Sequence, residues 1–370
     1  MCAKDIGPTN LETLVFRAET TGTEVEYRTL APATLPNGPL PLILHLHGAM
    51  SSSASLDAAR STYEGAWASG QLPPAVIACA STPTHGGFYI DHPEGPRWQS
   101  LVVDELPRRL ASRYRLAPKA ALMGFSMGGY GGLSAAFRHP ERFLAVAALC
   151  PVVFPAETAD AVPPRNRPSV LNDLNEAMGS DAAAYADNCV HSLARKSAAA
   201  IRAENLQIFI DCGQKDEFHL HDGAAYLHQL LEGLSISHTF RSVPDAGHAD
   251  AHAPARQEAA IGFLGEVLWQ AVRSGSMERS RLAVARRRGG RGRVPDGAGV
   301  EGKSCEGRAA PREGGPSAGQ AAAKSRTKVS TTRRRSSAWV DRPSESVISW
   351  VEAVPVISAA WPTPAMFCVT

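Results

Sequence analysis

The chain has 370 residues, 44% of them hydrophobic and 20% charged, a composition typical of a soluble globular protein rather than a disordered or fibrous one. No stretch reaches the roughly 18 uninterrupted apolar residues of a membrane helix, which excludes a multi-spanning membrane protein. The seven cysteines include no CxxC pair, and the first residues lack a basic segment followed by an apolar one. We therefore predict a cytoplasmic protein with reduced thiols, without a disulfide framework, a zinc site or a secretory signal.

The net charge of +2 hides two segments of opposite sign. Residues 1–274 hold 21 Lys and Arg against 28 Asp and Glu, together with all 12 histidines. Residues 275–370 hold 17 Lys and Arg against 8 Asp and Glu, and they are rich in Arg, Gly, Ala and Pro. Because the second segment has little to bury, we predict a structured domain over 1–274 and a disordered basic tail over 275–370.

The tail has three interpretations. It is a solvated or spurious extension without a function of its own, an arm that binds nucleic acid or another anionic surface, or a peripheral membrane anchor formed by the apolar residues 347–370. Glu352, Pro355 and Pro362 interrupt that last segment, so we predict no transmembrane segment there. The composition favours the first interpretation, which makes nucleic acid an unfavoured partner.

Short apolar strands alternate with helical patterns along residues 1–274. A period-2 pattern predicts a half-exposed strand over 24–28, and further strands are predicted over 42–46, 75–79, 120–123, 145–149, 206–210 and 238–243. Helical patterns cover 98–114, 127–138, 222–233 and 254–273. This alternation is typical of a mostly parallel sheet with helices on both faces, in which ligands bind beyond the carboxyl ends of the strands.

A nucleophile motif follows one of the predicted strands. Residues 124–128 read Gly-Phe-Ser-Met-Gly between the strand at 120–123 and the helix at 127–138, which is G-x-S-x-G in a strand–turn–helix setting. A serine hydroxyl needs a histidine to take its proton and an acid to orient that histidine. In this setting the acid and then the histidine follow the serine along the chain. We therefore predict Ser126 as the nucleophile, Asp216 as the acid and His248 as the base, the last two each in a loop after a strand.

Other residues near these loops leave alternatives open. Asp211 is the second candidate for the acid, and His252 is the second candidate for the base. The remaining polar residues fit structural roles: Asp222 as a helix N-cap, Asp245 as a loop brace, and His219, His221 and His228 as surface or pocket-rim residues that bind no metal.

An acyl transfer also needs donors for the oxyanion of the tetrahedral intermediate. The backbone N–H of Met127, directly after the nucleophile, is the first predicted donor. The second is the N–H of Ala49, in the loop after the strand at 42–46, where Gly48 permits a sharp turn. We interpret His47 as a loop histidine at the substrate pocket.

Four segments together resemble the esterase branch of the α/β-hydrolase superfamily, which includes esterase D (S-formylglutathione hydrolase), feruloyl-type esterases and mycolyl-transferring esterases. They are HLHG at 45–48, GFSMGG at 124–129, DCGQKDEF at 211–218 and PDAGH at 244–248. Residues 87–91 with Trp98, and residues 178–181, also look like segments of that branch. The resemblance covers roughly residues 25–270. It implies an eight-stranded α/β-hydrolase sheet, the triad Ser126, Asp216 and His248, and no cofactor.

We predict from these observations a carboxylic-ester hydrolase that forms an acyl-enzyme with a small-molecule ester. Tyr89, Asp91 and Trp98 are predicted to line the substrate pocket, and residues 151–200 to form a cap insertion. The sequence around His248 is closer to general esterases than to S-formylglutathione hydrolases. A thioesterase of that type, a peptidase like prolyl oligopeptidase and a non-catalytic binding module are the alternatives. The sequence fixes neither the natural substrate nor the oligomeric state.

Overall fold

The computed structural model describes residues 8–289, apart from Gly86, Pro168, Ser180 and Asp181. Eight strands form one sheet: β1 Thr9–Arg17, β2 Glu24–Pro32, β3 Leu42–Leu46, β4 Val76–Ala80, β5 Ala120–Phe125, β6 Phe143–Leu149, β7 Gln207–Gly213 and β8 Thr239–Val243. Their order across the sheet is β1-β2-β4-β3-β5-β6-β7-β8. β1 and β2 pair antiparallel, β2 also runs antiparallel to β4, and the other pairs are parallel. The predicted α/β-hydrolase fold with a mostly parallel eight-stranded sheet is confirmed.

The helices of the described residues lie in the connections between strands and, for the last of them, after β8. They are α1 Ser55–Ala68, α2 Trp98–Ser100, α3 Leu106–Ala111, α4 Met127–Arg138, α5 Ser169–Met178, α6 Ala182–Asn188, α7 Val190–Ala203, α8 Leu220–Gly233 and α9 Ala253–Gly289. A π-helical turn, Leu101–Glu105, joins α2 to α3, and 3₁₀ turns form at Pro140–Arg142 and Pro164–Asn166. None of the helices in this part of the chain is long and apolar enough to cross a membrane.

The sheet separates two apolar cores. Strands β3, β4 and β6 are almost uniformly buried, because helices cover both of their faces. On one face α1 and α9 pack through Leu56, Tyr63, Trp67, Ile261, Leu264 and Leu268. On the other face the larger core takes side chains from α3, α4, α7 and α8, among them Leu106, Leu133, Phe137, Leu193, Leu227 and Leu231. This three-layer arrangement holds the ends of the strands in fixed relative positions.

The structure adds elements that the sequence patterns did not predict. β1 and α1 were missed, and the predicted helix at 98–114 is interrupted by the π-helical turn. Between β6 and β7, α5, α6 and α7 occupy the region predicted as a cap insertion, and α7 packs against α4 and α8. α9 continues to Gly289, beyond the predicted domain boundary at residue 274. The remainder of the predicted basic tail, from residue 290 onward, lies outside the described residues.

The strand order brings four loops to one edge of the sheet. β3, β5, β7 and β8 run parallel, so the loops that follow them leave the sheet at its carboxyl edge. Ala49, Ser126, Asp216 and His248 lie in these four loops, in that order along the chain. The fold therefore gathers the predicted catalytic residues from segments that are distant in sequence.

Candidate active site

Ser126 occupies a strained turn between β5 and α4. Its backbone has φ 56° and ψ −116°, a conformation that non-glycine residues rarely adopt. The hydrogen bond from the Ser126 N–H to the Leu149 carbonyl oxygen is 2.9 Å long, and the Ser126 carbonyl oxygen accepts from the N–H groups of Tyr130 and Val152, both at 3.1 Å. These bonds to β6, to α4 and to the loop after β6 hold the turn in its unusual geometry.

Two glycines make the close approach around this turn possible. A Cβ atom on Gly124 would lie 2.1 Å from the Gly128 carbonyl oxygen. A Cβ atom on Gly128 would lie 2.0 Å from the carbonyl oxygen of Leu46, at the end of β3. Both separations are too short for any side chain, so the two glycines of the G-x-S-x-G motif are steric requirements of the turn.

The three predicted triad residues are connected by hydrogen bonds. The Ser126 Oγ lies 3.0 Å from His248 Nε2, and His248 Nδ1 lies 2.8 Å from Asp216 Oδ2. Because a carboxylate only accepts, Nδ1 carries a proton toward Asp216, and in the neutral, catalytically competent imidazole Nε2 is left to accept from the serine hydroxyl. The second Asp216 oxygen accepts from the N–H groups of Phe218 at 2.9 Å and Leu220 at 3.4 Å, which orients the carboxylate.

The protein environment stabilises a charged His248. Burial opposes protonation, but the hydrogen bond to Asp216 and the contacts with Cys150 outweigh it and raise the pKa of His248 to about 9. Burial likewise opposes ionisation of Asp216, yet the His248 bond and two backbone N–H groups lower its pKa below the ordinary value. The rings of Phe125 and Phe218 lie with their centroids 4.9 Å from the His248 ring. The imidazole thus contacts two aromatic side chains as well as its polar partners.

The loop after β3 passes beside the nucleophile. A Cβ atom on Gly48 would lie 3.6 Å from Ser126 Cβ, which places the adjoining peptide of Ala49 next to the serine. Met127 is the first residue of α4, where backbone N–H groups have no partner within the helix. The N–H of Met50 donates to Thr84 Oγ1 at 2.7 Å and fixes the loop from its other side. Ala49 and Met127 thus both lie beside Ser126, and the role of their N–H groups as oxyanion donors stays a prediction.

His47 braces this loop from within the protein. Its side chain is buried, its Nδ1 donates to the Gly48 carbonyl oxygen at 2.8 Å, and its Nε2 accepts from the Thr82 N–H at 2.9 Å. Burial lowers the pKa of His47 to about 4, so the ring is neutral and can make both bonds at once. The hydrogen bonds of the His47 ring are therefore to backbone groups of the scaffold.

The other predicted pocket residues also contact the scaffold. Tyr89 donates through its hydroxyl to the His47 carbonyl oxygen at 3.1 Å, and its ring lies against Gly131 of α4. The Asp91 carboxylate accepts from the Ser100 N–H at 2.9 Å and from its hydroxyl. Trp98 is buried in the larger core. Their participation in substrate binding stays a prediction.

The alternative acids and bases have other partners. Asp211 is fully buried and pairs with Arg256, and Asp245 pairs with Lys215 on the surface. His252 Nδ1 lies 3.2 Å from Asp250. The prediction of Asp222 as an N-cap was wrong: His219 is the N-cap of α8, and Asp222 lies within its first turn and pairs with Arg165. His228 contacts His238.

Two acidic residues that the sequence patterns did not single out hold the peptide groups of the histidine loop. The His248 N–H donates to Glu217 Oε2 at 2.8 Å, and the Gly247 N–H donates to Asp250 Oδ2 at 2.6 Å. Glu217 stands within the motif at 211–218, and Asp250 follows the motif at 244–248 by two residues. Their position next to Asp216 and His248 was the only available signal, because which backbone group each contacts depends on the fold.

Among the described residues, two groups of side chains bring atoms that could bind a metal ion within 4.8 Å of one another. The first group is Cys150, Cys212 and Asp216; the second is His219, His221 and Asp222. The carboxylate of each group already has a protein partner, His248 in the first and Arg165 in the second. The four cysteines Cys79, Cys150, Cys189 and Cys212 are free and buried.

The strand order, the helices on both faces and the strained serine turn define an α/β-hydrolase. A sequence profile of the family described as Putative esterase matches residues 18–249, and the chain belongs to that family.

The chain is also similar to one curated relative in sequence and to solved structures in fold. The chain is 27% identical over 159 residues to the S-formylglutathione hydrolase of Paracoccus denitrificans (strain Pd 1222), a match that spans 38% of this chain and 57% of that protein. A ferulic acid esterase structure superposes with a TM-score of 0.58 at 19% identity, over 70% of this chain and 98% of its own. An S-formylglutathione hydrolase from Agrobacterium tumefaciens superposes with a TM-score of 0.55 at 21% identity, over 69% of this chain and 95% of its own.

Proposed function

We propose that the protein hydrolyses carboxylic esters of small molecules through a triad of Ser126, His248 and Asp216. The observation that carries the proposal is the continuous contact from Ser126 Oγ to His248 Nε2, at 3.0 Å, and from His248 Nδ1 to Asp216 Oδ2, at 2.8 Å. This contact sits on a strained serine turn at the carboxyl edge of the sheet. Membership of an esterase family supports the same reaction.

The reaction proceeds in two half-reactions. His248 takes the proton of Ser126 as its oxygen attacks the ester carbonyl carbon, and the N–H groups of Met127 and Ala49 stabilise the resulting oxyanion. His248, held by Asp216, then gives the proton to the leaving alcohol, which leaves an acyl-enzyme. Water activated by the same histidine attacks the acyl group, the acid is released and Ser126 regains its proton.

Thioester hydrolysis is the second candidate, because the matched curated relative is an S-formylglutathione hydrolase. The same triad serves either substrate, since the attacked carbonyl carbon is equivalent and only the leaving group differs. Comparing kcat/KM for an oxygen ester and for the thioester of the same acyl group separates the two. A cytoplasmic location is part of this proposal.

The test is hydrolysis of p-nitrophenyl acetate and butyrate by the full-length protein beside Ser126→Ala. The matched control is Ser112→Ala, which removes an exposed hydroxyl that bonds only locally to the Arg109 carbonyl oxygen. We expect Ser126→Ala to lose several orders of magnitude in kcat, of the order of 10⁴-fold or more, with the control unchanged. A fluorophosphonate should label the wild type and the control but not Ser126→Ala. A wild-type protein that neither hydrolyses the esters nor takes the label would overturn the proposal.

A further inference from the structure

The buried side chain of Arg256, in the first turns of α9, joins three segments of the candidate site. It is 3% exposed. Its Nε donates to Asp211 Oδ1 at the end of β7, its Nη1 to the Gly247 carbonyl oxygen at 3.0 Å, and its Nη2 to Cys150 Sγ just after β6. A guanidinium presents its donors in a rigid planar fork, so these three contacts fix the relative positions of the segments that carry them.

A charge at this depth requires a partner, and Asp211 supplies it. An isolated buried charge is costly, and Asp211 is itself fully buried. The other oxygen of Asp211 lies 3.7 Å from Arg241 Nε, whose side chain is 40% exposed. Two arginines thus face one carboxylate. Of these, Arg256 also donates to the histidine loop.

Arg256 restrains the carbonyl groups before and after His248, the first directly and the second through Cys150. The N–H groups of Gly247 and His248 are held by acidic side chains, as described above. On the carbonyl side, Arg256 donates to the Gly247 oxygen, and Cys150, which Arg256 contacts, donates from Sγ to the His248 oxygen at 3.6 Å. The arginine therefore restrains the backbone from which the imidazole projects, without contacting the imidazole itself.

We propose that Arg256 is a positioning residue for His248: its three-way contact holds the histidine loop at the distance from Ser126 that proton transfer requires. The inference rests on the proposed function of His248 as the base. Proton transfer is sensitive to donor–acceptor geometry, so a small displacement of the loop slows acylation without altering the groups that bind substrate.

Removing Arg256 alone would leave Asp211 buried without its closest partner. A loss of activity could then come either from a displaced histidine loop or from a less stable fold. The informative variant is therefore the double substitution Asp211→Leu/Arg256→Met, because apolar residues of similar volume often replace a buried ion pair at no cost in stability. Arg256→Lys is the second variant, since an ammonium can pair with Asp211 but cannot reproduce the planar fork. Arg241→Gln is the matched control: it removes an arginine that faces the same carboxylate and leaves the histidine loop untouched.

The measurements are steady-state kcat and KM with p-nitrophenyl acetate, the rate of fluorophosphonate labelling of Ser126, and thermal unfolding. We expect kcat and the labelling rate of the double variant and of Arg256→Lys to fall at least about tenfold per folded molecule, with KM within about twofold of wild type. We expect the control Arg241→Gln to keep its kcat within about twofold of wild type.

A folded double variant with wild-type kcat and labelling rate would overturn the role of Arg256. If that variant does not fold, the kcat and labelling rate of Arg256→Lys per folded molecule decide instead. A loss of activity in Arg256→Lys that is fully explained by its unfolded fraction would also overturn the role. Failure of the wild type itself to label at Ser126 would instead overturn the proposed function, so the two failures are distinguishable.

Discussion

Gly128 lies against the carbonyl oxygen of Leu46, so closely that a Cβ atom on Gly128 would stand 2.0 Å from that oxygen. This contact joins the start of the helix after the nucleophile to the strand that precedes the predicted oxyanion loop. The Leu46 oxygen belongs to the backbone, so it cannot move away by a change of side-chain rotamer. The spacing between Ser126 and Ala49 therefore depends on a glycine at position 128.

Gly128→Ala should damage both the fold and the activity. Overpacking of this kind costs about 1–3 kcal/mol or more, because only backbone movement can relieve it. Gly65→Ala is the control: Gly65 is exposed within α1, nothing stands within 4 Å of its Cβ position, and alanine should stabilise the helix by about 0.5–1 kcal/mol. Thermal unfolding should show a lower unfolding temperature than wild type for Gly128→Ala and a higher one for Gly65→Ala. A Gly128→Ala protein as stable and active as wild type would contradict the close approach.

Asp216→Asn should move the pH dependence of the reaction to lower pH. His248 acts as a base only when unprotonated, so kcat/KM of the wild type should rise with pH through its pKa of about 9. The Asp216 carboxylate raises that pKa against the effect of burial. Without it the pKa of His248 falls, so the rise should occur at lower pH, with a maximal rate lower by about 10⁴-fold.

The pH profile of kcat/KM with a p-nitrophenyl ester, corrected for spontaneous hydrolysis, measures this shift. Asp245→Asn is the matched control, because that carboxylate pairs with Lys215 on the surface and should leave the profile in place. A profile that stays at the same pH in Asp216→Asn would show that another group orients His248.

Thr84→Val should lower kcat with little change in KM. The hydroxyl of Thr84 accepts the N–H of Met50, the residue after the predicted oxyanion donor Ala49. Loss of an oxyanion donor costs about 10²–10³-fold in kcat, and an indirect support should cost less, about tenfold. Thr84→Ser restores the acceptor and should restore the rate. Equal rates in Thr84→Val and wild type would mean that the loop keeps its position without this bond.

Glu217→Ala should reduce kcat more than Glu217→Gln. The glutamine amide still offers an oxygen to the His248 N–H, whereas alanine removes the acceptor. A lost bond of about 1 kcal/mol corresponds to roughly a fivefold effect. Steady-state kinetics on the two variants, at matched folded fraction, separate them. If both variants lose the same activity, the charge of Glu217 rather than its hydrogen bond is what the site requires.

The sheet and the hydrogen-bonded residues Ser126, His248 and Asp216 could be predicted because short sequence patterns mark them. The strands β3 and β6 are continuous apolar runs, and the turn at Ser126 requires glycines at fixed offsets. β1 was missed because, lying at the edge of the sheet, it shows no continuous apolar run, and α1 because its many Ala and Ser residues blur the helical period.

Contacts that depend on tertiary structure could not be predicted in this way. Arg256 stands 45 residues from Asp211 in the sequence, and only the pairing of β6 with β7 and the return of α9 bring Cys150 to the same guanidinium. His47 was interpreted as a loop histidine at the pocket: its bonds to the Gly48 and Thr82 backbone fit the loop role, and its place at the pocket stays a prediction. Which way a loop histidine turns is decided by those distant backbone groups.

The backbone angles of Ser126 have a consequence for stability that reaches beyond the reaction. Residues other than glycine at φ 56° and ψ −116° cost about 1–3 kcal/mol, a strain that alanine shares with serine but glycine does not. Ser126→Gly and Ser126→Ala should therefore both be inactive, while the glycine variant unfolds at the higher temperature. Equal unfolding temperatures would mean that the strain does not exceed the larger conformational entropy that glycine loses on folding, about 0.4–1 kcal/mol. Stability and catalysis thus favour different residues at position 126: glycine relieves the backbone strain, whereas only serine supplies the nucleophile.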